Sequence, residues 1–276
     1  MKIAVLIDSS SGIKNLSSYK NLFLVPLMIT KEDGEQLADD ENFGIEEFYE
    51  LHKQQLLKTS QSIPGLMLEK WDELLKDYDA VICLLISKGL SGQYNTFKMF
   101  SSEENYKNKI FVADTNGVSI LLKRQVEFVF KLIEEGNDAN TIVDRLEEIS
   151  SNLLGYIIPK SLSQLVRGGR ISKAAAGLAK ILKITPILKY DGTIDKESKT
   201  RTFKKAVSYS LDLIRKKYKD QLQLDVSCSR SDQETTDLVK QLIIEKGFEI
   251  GIWEDMPNVI TCHTGEETFA FIPNLF

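Results

Sequence analysis

The stretch that decides the fold is 79–97, "DAVICLLISKGLSGQYNTF". Its short apolar run predicts a buried strand, and Tyr94 and Phe97 lie at helical spacing in the segment that follows. Between the two, Gly89, Ser91 and Gly92 predict a turn where the backbone can approach another group closely. Two interpretations stay open at this point. The Ser91 hydroxyl and the first N–H groups of the helix face a negatively charged ligand, or Ser91 is an ordinary helix cap.

Strand-like and helix-like segments alternate through the first half of the chain. Strands are predicted in "KIAVLID", "AVICLLIS" and "KIFVAD", and helices in "GIEEFYELHKQQL", Met67–Tyr78, "GVSILLKRQVEFVFKLIEEG" and "DANTIVDRLEEIS". This alternation predicts an α/β, Rossmann-like domain over 1–155, with a parallel sheet covered on both faces. Ligands of such sheets bind beyond the carboxyl ends of strands, where Asp8–Ser10, Ser87–Gly92 and Asp114–Gly117 fall.

The second half predicts an α+β domain over 156–276. Asp191 and Gly192 form a good hairpin turn pair, and Ser231 with Glu234 matches a capping box at the start of a helix. The remaining predicted elements are a strand "LGYIIP", a loop "KSLSQLVRGGRIS", a helix "KAAAGLAKIL", a helix Phe203–Tyr218, and strands "LQLDVSC", "FEIGIWE", "NVITCH" and "TFAFI". No glycine- or proline-rich linker separates the two halves.

Composition excludes several classes of function. The chain has 276 residues and a net charge of -5, which argues against general binding to nucleic acid or anionic membranes. It has no apolar run of membrane-spanning length, and its first residues are too short a run for a signal peptide. Three widely spaced cysteines in apolar contexts predict reduced core thiols and a cytoplasmic location. Two histidines are too few for an imidazole-rich metal site, and no cofactor is expected.

Ser91 and His263 raise the alternative of a serine-dependent hydrolase, with Ser91 as nucleophile and His263 as base. The nucleophile elbow needs G-x-S-x-G, however, and Gln93 stands where the last glycine would be. A local basic surface is also predicted in this acidic chain. Arginine beside a Gly-Gly turn suits phosphate, although such a surface is also typical of a solvated face. Its residues are Arg167, Arg170, Lys199, Arg201, Lys204 and Lys205.

The order of the polar motifs is more specific than any one of them. In sequence they are D-S at Asp8, T-S-Q at Thr59, G-L-S-G-x-Y at Gly89, D-T at Asp114, G-G-R-I-S at Gly168, K-x-R at Lys199 and H-T-G at His263. Over essentially the whole chain this order resembles the DegV family, the fatty-acid-binding subunits of bacterial fatty acid kinases.

The resemblance implies a two-domain protein that holds one long-chain fatty acid in a tunnel between its domains and has no catalytic activity of its own. It implies carboxylate contacts from the T-S-Q and G-L-S-G loops and the H-T-G histidine, here Thr59, Ser60, Ser91, Gly92 and His263. A separate ATP-dependent kinase subunit would phosphorylate the carboxylate, for phospholipid metabolism. Residues Arg170 and Arg201 match positions that contact phosphate or the kinase.

The sequence departs from the family pattern at three places. Ser62-Ile63-Pro64 replaces P-S-P, Gln93 replaces a threonine, and Glu266-Glu267 replace Pro-Gly after H-T-G. The two glutamates are expected to point outward, because inward carboxylates would repel the bound carboxylate. A bound anion would raise the pKa of His263, whereas burial would lower it. Two alternatives stay open, a serine-dependent lipid hydrolase using Ser91 and His263 and a small-molecule sensor without a kinase partner.

Overall fold

The computed structural model describes residues 1–181 and 183–276. These form two compact units. The first comprises Met1–Ser151, Pro257–Cys262 and Phe276, and the second comprises Asn152–Met256 and His263–Leu275. None of the helices in these ranges combines the length and the apolar character needed to cross a membrane. The predicted domains 1–155 and 156–276 stay a prediction.

The first unit contains a parallel sheet and a small antiparallel sheet. Its strands are β1 (Ile3–Ile7), β2 (Leu22–Leu24), β3 (Met28–Thr30), β4 (Gln36–Ala38), β5 (Lys58–Ser60), β6 (Ala80–Leu84) and β7 (Ile110–Ala113). Its main helices are α1 (Ile45–Gln54), α2 (Pro64–Leu74), α3 (Gln93–Phe100), α4 (Ile120–Glu134) and α5 (Ala139–Ser151). The parallel sheet has the order β2-β1-β6-β7, and the antiparallel sheet the order β4-β3-β5.

The predicted parallel sheet is confirmed. Every residue of β1 and β6 is buried, which is the pattern expected of central parallel strands covered on both faces. One face packs on α4 and α5 through residues such as Val126 and Ile142, and the other packs on α2 and α3 through Trp71 and Phe97. The antiparallel sheet was not predicted, because its strands are only three residues long.

The second unit contains one mixed sheet. Its helices are α6 (Ser163–Gly168), α7 (Lys173–Gly177), α8 (Phe203–Lys217) and α9 (Gln233–Glu245). Its strands are β8 (Gly155–Pro159), β9 (Thr185–Tyr190), β10 (Ile194–Thr200), β11 (Gln223–Cys228), β12 (Glu249–Asp255) and β13 (Thr268–Pro273). The order is β10-β9-β8-β13-β11-β12, with only β11 and β12 parallel among these pairs.

Several local predictions for the second unit are confirmed and others are wrong. The hairpin between β9 and β10 turns at Gly192, whose φ of 100° suits glycine. The cap of α9 is Asp232 and not Ser231, because the Asp232 carboxylate accepts the N–H of Thr235 at 2.7 Å. The predicted loop after β8 contains α6. The helix predicted for "KAAAGLAKIL" is shorter in the structure, where α7 ends at Gly177. The last residue of the predicted segment, Leu182, lies outside the described residues.

The segment "NVITCH", predicted as a strand, is a helix, α10 (Asn258–Thr264). Its β-branched residues favour a strand by local propensity, but tertiary contacts override that preference. Val259 and Cys262, three residues apart and so on one helical face, are both buried in a cluster with Leu27, Ile29 and Phe48. The carboxylate of Asp39 accepts the N–H of Val259 at 3.3 Å and a hydrogen bond from the Asn258 amide at 3.1 Å.

Candidate functional site

Three polar loops of the first unit follow neighbouring strands of the parallel sheet. Asp8–Ser10 follows β1, Ser87–Gly92 follows β6, and Asp114–Gly117 follows β7. Because these strands are parallel and adjacent, their carboxyl ends lie at one edge of the sheet, as the sequence predicts. Ser91 and Gly92, two of the candidate residues, lie in the second of these loops.

Asp8 is the buried centre of this edge. Its carboxylate accepts hydrogen bonds from the N–H of Ser10 at 3.0 Å, the N–H of Ile86 at 2.8 Å and Nε2 of Gln93 at 2.9 Å, and also from the Ser10 hydroxyl. Burial raises the pKa of Asp8, and these hydrogen bonds oppose that rise. The carboxylate therefore ties the ends of β1 and β6 to the start of α3.

The turn that holds Ser91 is organised by Ser87. The backbone carbonyl of Ser87 accepts the N–H groups of Leu90 at 3.0 Å and Ser91 at 3.2 Å. The N-cap of α3 is Gly92, and the Ser91 hydroxyl, one residue earlier, accepts the N–H of Gln93 at 3.2 Å and so satisfies the first backbone donor of the helix. A hydroxyl has one donor and two acceptor positions, so this bond leaves the Ser91 O–H able to donate to an anion. The two initial interpretations of Ser91 are therefore compatible.

Gly92 has an ordinary helical φ of -70°, and a Cβ built on it would meet no atom within 4 Å. Neither the backbone conformation nor the packing around this position therefore requires glycine. The Cα of Gly92 is therefore open to the close approach of another group.

Thr59 and Ser60 lie on β5, opposite Ile29 and Met28 of β3, and both are half-buried. The segment that follows them is hydrogen-bonded to α3. The N–H of Ser62 donates to Oε1 of Gln93 at 2.7 Å, and the Thr96 hydroxyl donates to Oε1 of Gln61 at 3.0 Å. The structure therefore joins the T-S-Q segment and the G-L-S-G turn in one network.

His263 lies in the last turn of α10 and belongs to the second unit. Burial, with a smaller contribution from the positive charge of Arg170, lowers its pKa to about 4. The imidazole is therefore neutral at pH 7 in the protein alone. A Cβ built on Gly168 would lie 2.4 Å from Nδ1 of His263, so glycine at 168 leaves room for the ring.

The other candidate residues of the second unit lie in its turns. Arg170 donates to the carbonyl of Gly168 at 2.5 Å, and Arg201 is exposed between β10 and α8. Glu266 is exposed and Glu267 forms an ion pair with Lys160, so the charge of these carboxylates faces solvent and a lysine. No group of three or more His, Cys, Asp and Glu side chains within 1–181 and 183–276 is arranged to hold a metal ion.

Sequence reasoning missed two buried polar residues of the first unit, Gln93 and Asp39. Gln93 was noted only as a departure from a pattern, although its side chain is fully buried. Asp39, which lies in an acidic stretch typical of a surface loop, is also fully buried and pairs with Lys14 at 2.5 Å. The only sequence signal for either residue was the unusual glutamine in the G-L-S-G turn.

Comparison with known proteins identifies the family. The model of the DegV family, described as uncharacterised proteins, matches residues 2–273. A DegV domain-containing protein of Streptococcus pyogenes serotype M6 is 31% identical over 283 residues, which cover 98% of each chain. This chain therefore belongs to the DegV family, and the sequence-based identification of that family is confirmed.

Solved structures confirm the α/β fold with a second α+β part. A structure on fatty acid binding of a DegV family protein from Thermus thermophilus has a TM-score of 0.86 and 25% identity, covering 99% of both chains. The structure of DegV from Bacillus subtilis, described as a fatty acid binding protein, has a TM-score of 0.82 and 27% identity. It covers 99% of this chain and 98% of that chain.

Proposed function

We propose that this chain binds one long-chain fatty acid and presents its carboxylate to a separate ATP-dependent kinase, which forms an acyl phosphate for phospholipid metabolism. The observation that carries the proposal is the match, over 99% of the chain, to DegV structures described as fatty-acid-binding. A binding protein without catalysis is consistent with those descriptions. The proposed location is the bacterial cytoplasm, and the three buried, free cysteines are consistent with a compartment where thiols stay reduced.

The carboxylate ligands in this proposal are Thr59, Ser60, Ser91, Gly92 and His263. The hydroxyls supply neutral donors, and the open space beside Gly92 suits a close approach of the head group. The neutral form of His263 can donate one hydrogen bond, and a nearby anion would favour its protonation. No arginine is needed among these ligands, since the acyl tail supplies most of the affinity. Burying a sixteen-carbon tail contributes about 12 kcal/mol before ordering costs.

Arg170 and Arg201 are the proposed contacts to phosphate or to the kinase. Arginine matches phosphate oxygens in a bidentate geometry, and Arg201 is exposed to a partner surface. The serine hydrolase using Ser91 and His263 receives no support from the local geometry. Ser91 is not among the described residues with positive φ, whereas a strained backbone holds the serine of a nucleophile elbow.

Native mass spectrometry of the protein purified from a bacterial host tests the ligand class, with an intact, non-covalent fatty acid as the expected result. A cognate fatty acid kinase subunit with ATP should then convert that lipid to acyl phosphate. A fluorophosphonate probe that labelled Ser91 would contradict the proposal and favour the hydrolase. Failure of any cognate kinase to form acyl phosphate would favour the sensor.

The Ser91→Ala variant tests the assignment of the carboxylate site. Loss of one hydrogen bond to a charged group costs about 1.5–3 kcal/mol, so the affinity for fatty acid should fall by about 10- to 150-fold. The measurement is titration of the delipidated protein with a fluorescent fatty acid. Ser102→Ala, at an exposed serine just after α3, is the control and should leave affinity unchanged. An unchanged dissociation constant for Ser91→Ala would show that Ser91 does not meet the carboxylate.

A further inference from the structure

The side chain of Gln93, the first residue of α3, is fully buried and uses both ends of its carboxamide. Oε1 accepts the N–H of Ser62 at 2.7 Å, and Nε2 donates to Oδ2 of Asp8 at 2.9 Å and to Oγ of Ser62 at 3.1 Å. Since a carboxamide has two N–H donors, both are engaged. Gln93 thus connects the end of β1 to the segment that follows β5.

The backbone of the same residue contacts the other loop of the candidate site. The N–H of Gln93 donates to the Ser91 hydroxyl at 3.2 Å. Ser62 is held at its far side too, because its hydroxyl donates to the carbonyl of Val25 at 3.0 Å. Gln93 therefore hydrogen-bonds two of the three segments that carry the proposed carboxylate ligands, those of Thr59–Ser60 and Ser91–Gly92, but not that of His263.

Few side chains can make these contacts. The group at this place must donate to the buried Asp8 carboxylate and accept the Ser62 N–H at the same time. Threonine has a single hydroxyl on a much shorter side chain, and leucine has no polar group. Glutamate would bring a second carboxylate against Asp8 with no cation among the groups that hydrogen-bond to Asp8. Glutamine fits because it is neutral, long and both donor and acceptor.

We infer that Gln93 is a positioning residue that sets the separation between the Thr59–Ser60 hydroxyls and the Ser91 hydroxyl. In this way it determines the preference of the site for a carboxylate over an uncharged head group of the same chain length. The inference rests on the proposed function. Gln93 acts through Ser62 and Ser91, since its own polar side-chain atoms are occupied within the protein.

The test compares two ligands with one tail, palmitic acid and 1-hexadecanol, on the delipidated full chain. Both displace a fluorescent fatty acid, and the ratio of their affinities isolates the head-group contribution, because the tail is common. Gln93→Leu should lower the affinity for palmitic acid by about tenfold and change the affinity for 1-hexadecanol by less than about twofold. If Gln93 had a purely structural role, the substitution would lower the affinity for both ligands equally, and that outcome would overturn the inference.

Gln125→Leu is the matched control. Gln125 is a second fully buried glutamine of the first unit, whose Nε2 donates to the carbonyl of Thr115 at 2.7 Å and to the Ser150 hydroxyl at 3.0 Å. Its substitution removes two buried side-chain hydrogen bonds, against three for Gln93, and should leave the acid-to-alcohol ratio unchanged. A similar fall of the ratio in Gln125→Leu would also contradict the inference.

Ser62→Ala keeps the test decisive if Gln93→Leu does not fold. It removes one partner of the Gln93 amide while the backbone bond from Ser62 to Oε1 remains. The acid-to-alcohol ratio should fall by about threefold, and an unchanged ratio would overturn the inference. If the wild-type protein itself showed no preference for the acid, the proposed carboxylate site would be wrong instead. The two failures are therefore distinguishable.

Discussion

At the scale of single residues, the charge of His263 determines how the proposed head-group site changes with pH. Burial, followed by the Arg170 charge, lowers its pKa from 6.5 to about 4. The unfolded chain binds the proton more readily than the folded protein, so the free energy of unfolding decreases as pH falls from 6.5 toward 4. The full loss is about 3 kcal/mol, and it is absent above pH 6.5.

We predict that a bound fatty acid raises the pKa of His263. A carboxylate beside the ring favours the imidazolium form, and it opposes both the desolvation and the repulsion from Arg170. An NMR titration of the ring proton should place the pKa near 4 without ligand and above about 5 at saturation. The chain has only two histidines, so the spectrum of His263→Asn assigns the signal. If the pKa of His263 were the same with and without fatty acid, His263 would not contact the carboxylate.

At the scale of elements, α10 depends on contacts that are distant in sequence. Lys14 pairs with the buried Asp39 carboxylate at 2.5 Å and donates to the carbonyl of Phe43 at 2.6 Å. Asp39 in turn holds the first residues of α10, as its bonds to Asn258 and Val259 show. These partners lie more than 200 residues apart, so local patterns in "NVITCH" could not predict this helix.

We predict that Lys14→Met destabilises the first unit by about 3 kcal/mol, because it leaves a buried carboxylate without its cation. The loss should diminish as pH falls, since burial raises the pKa of Asp39 and removing the lysine would raise it further. Urea unfolding at pH 7 measures the loss. In a Trp253→Phe background, the fluorescence of Trp71 reports on the first unit alone.

The double variant Lys14→Met with Asp39→Asn separates charge from packing. The asparagine oxygen can still accept the N–H of Val259, so stability should recover by at least about 1 kcal/mol. Lys70→Met is the control, because Lys70 forms an exposed pair with Glu73 and should change stability by less than about 0.5 kcal/mol. Equal losses in the single and double variants would exclude an uncompensated charge as the cause.

At the scale of the whole molecule, the sequence predicts the strands and helices that have a regular apolar pattern. Strands β1, β6 and β7 of the parallel sheet, its helices and the loops at its carboxyl edge follow from alternation and apolar spacing, and the structure confirms them, whereas the short strand β2 was not predicted. The sequence does not predict contacts that depend on long-range burial. The grouping of Pro257–Cys262 with the first unit follows from packing of Val259 and Cys262 on distant apolar residues. Likewise, the bridging role of Gln93 depends on partners 31 and 85 residues away.

In the proposed function, the molecule binds a lipid and presents it to a kinase. Mutations should be able to impair one of these two tasks without the other. Arg201 is exposed and lies in the turn between β10 and α8. We predict that Arg201→Ala keeps the affinity for fatty acid within about twofold and lowers acyl phosphate formation with a cognate kinase at least tenfold, about 1.4 kcal/mol.

Arg170→Ala should impair acyl phosphate formation in the same way and have one further effect. Removing its positive charge should raise the pKa of His263, because that charge now lowers it. The measurements are a fluorescent fatty-acid titration, a kinase assay with ATP and the NMR titration. Arg145→Ala, on α5 of the first unit, is the control and should change none of them. If either arginine variant lost the lipid while still pairing normally with the kinase, these residues would belong to lipid binding and not to phosphoryl transfer.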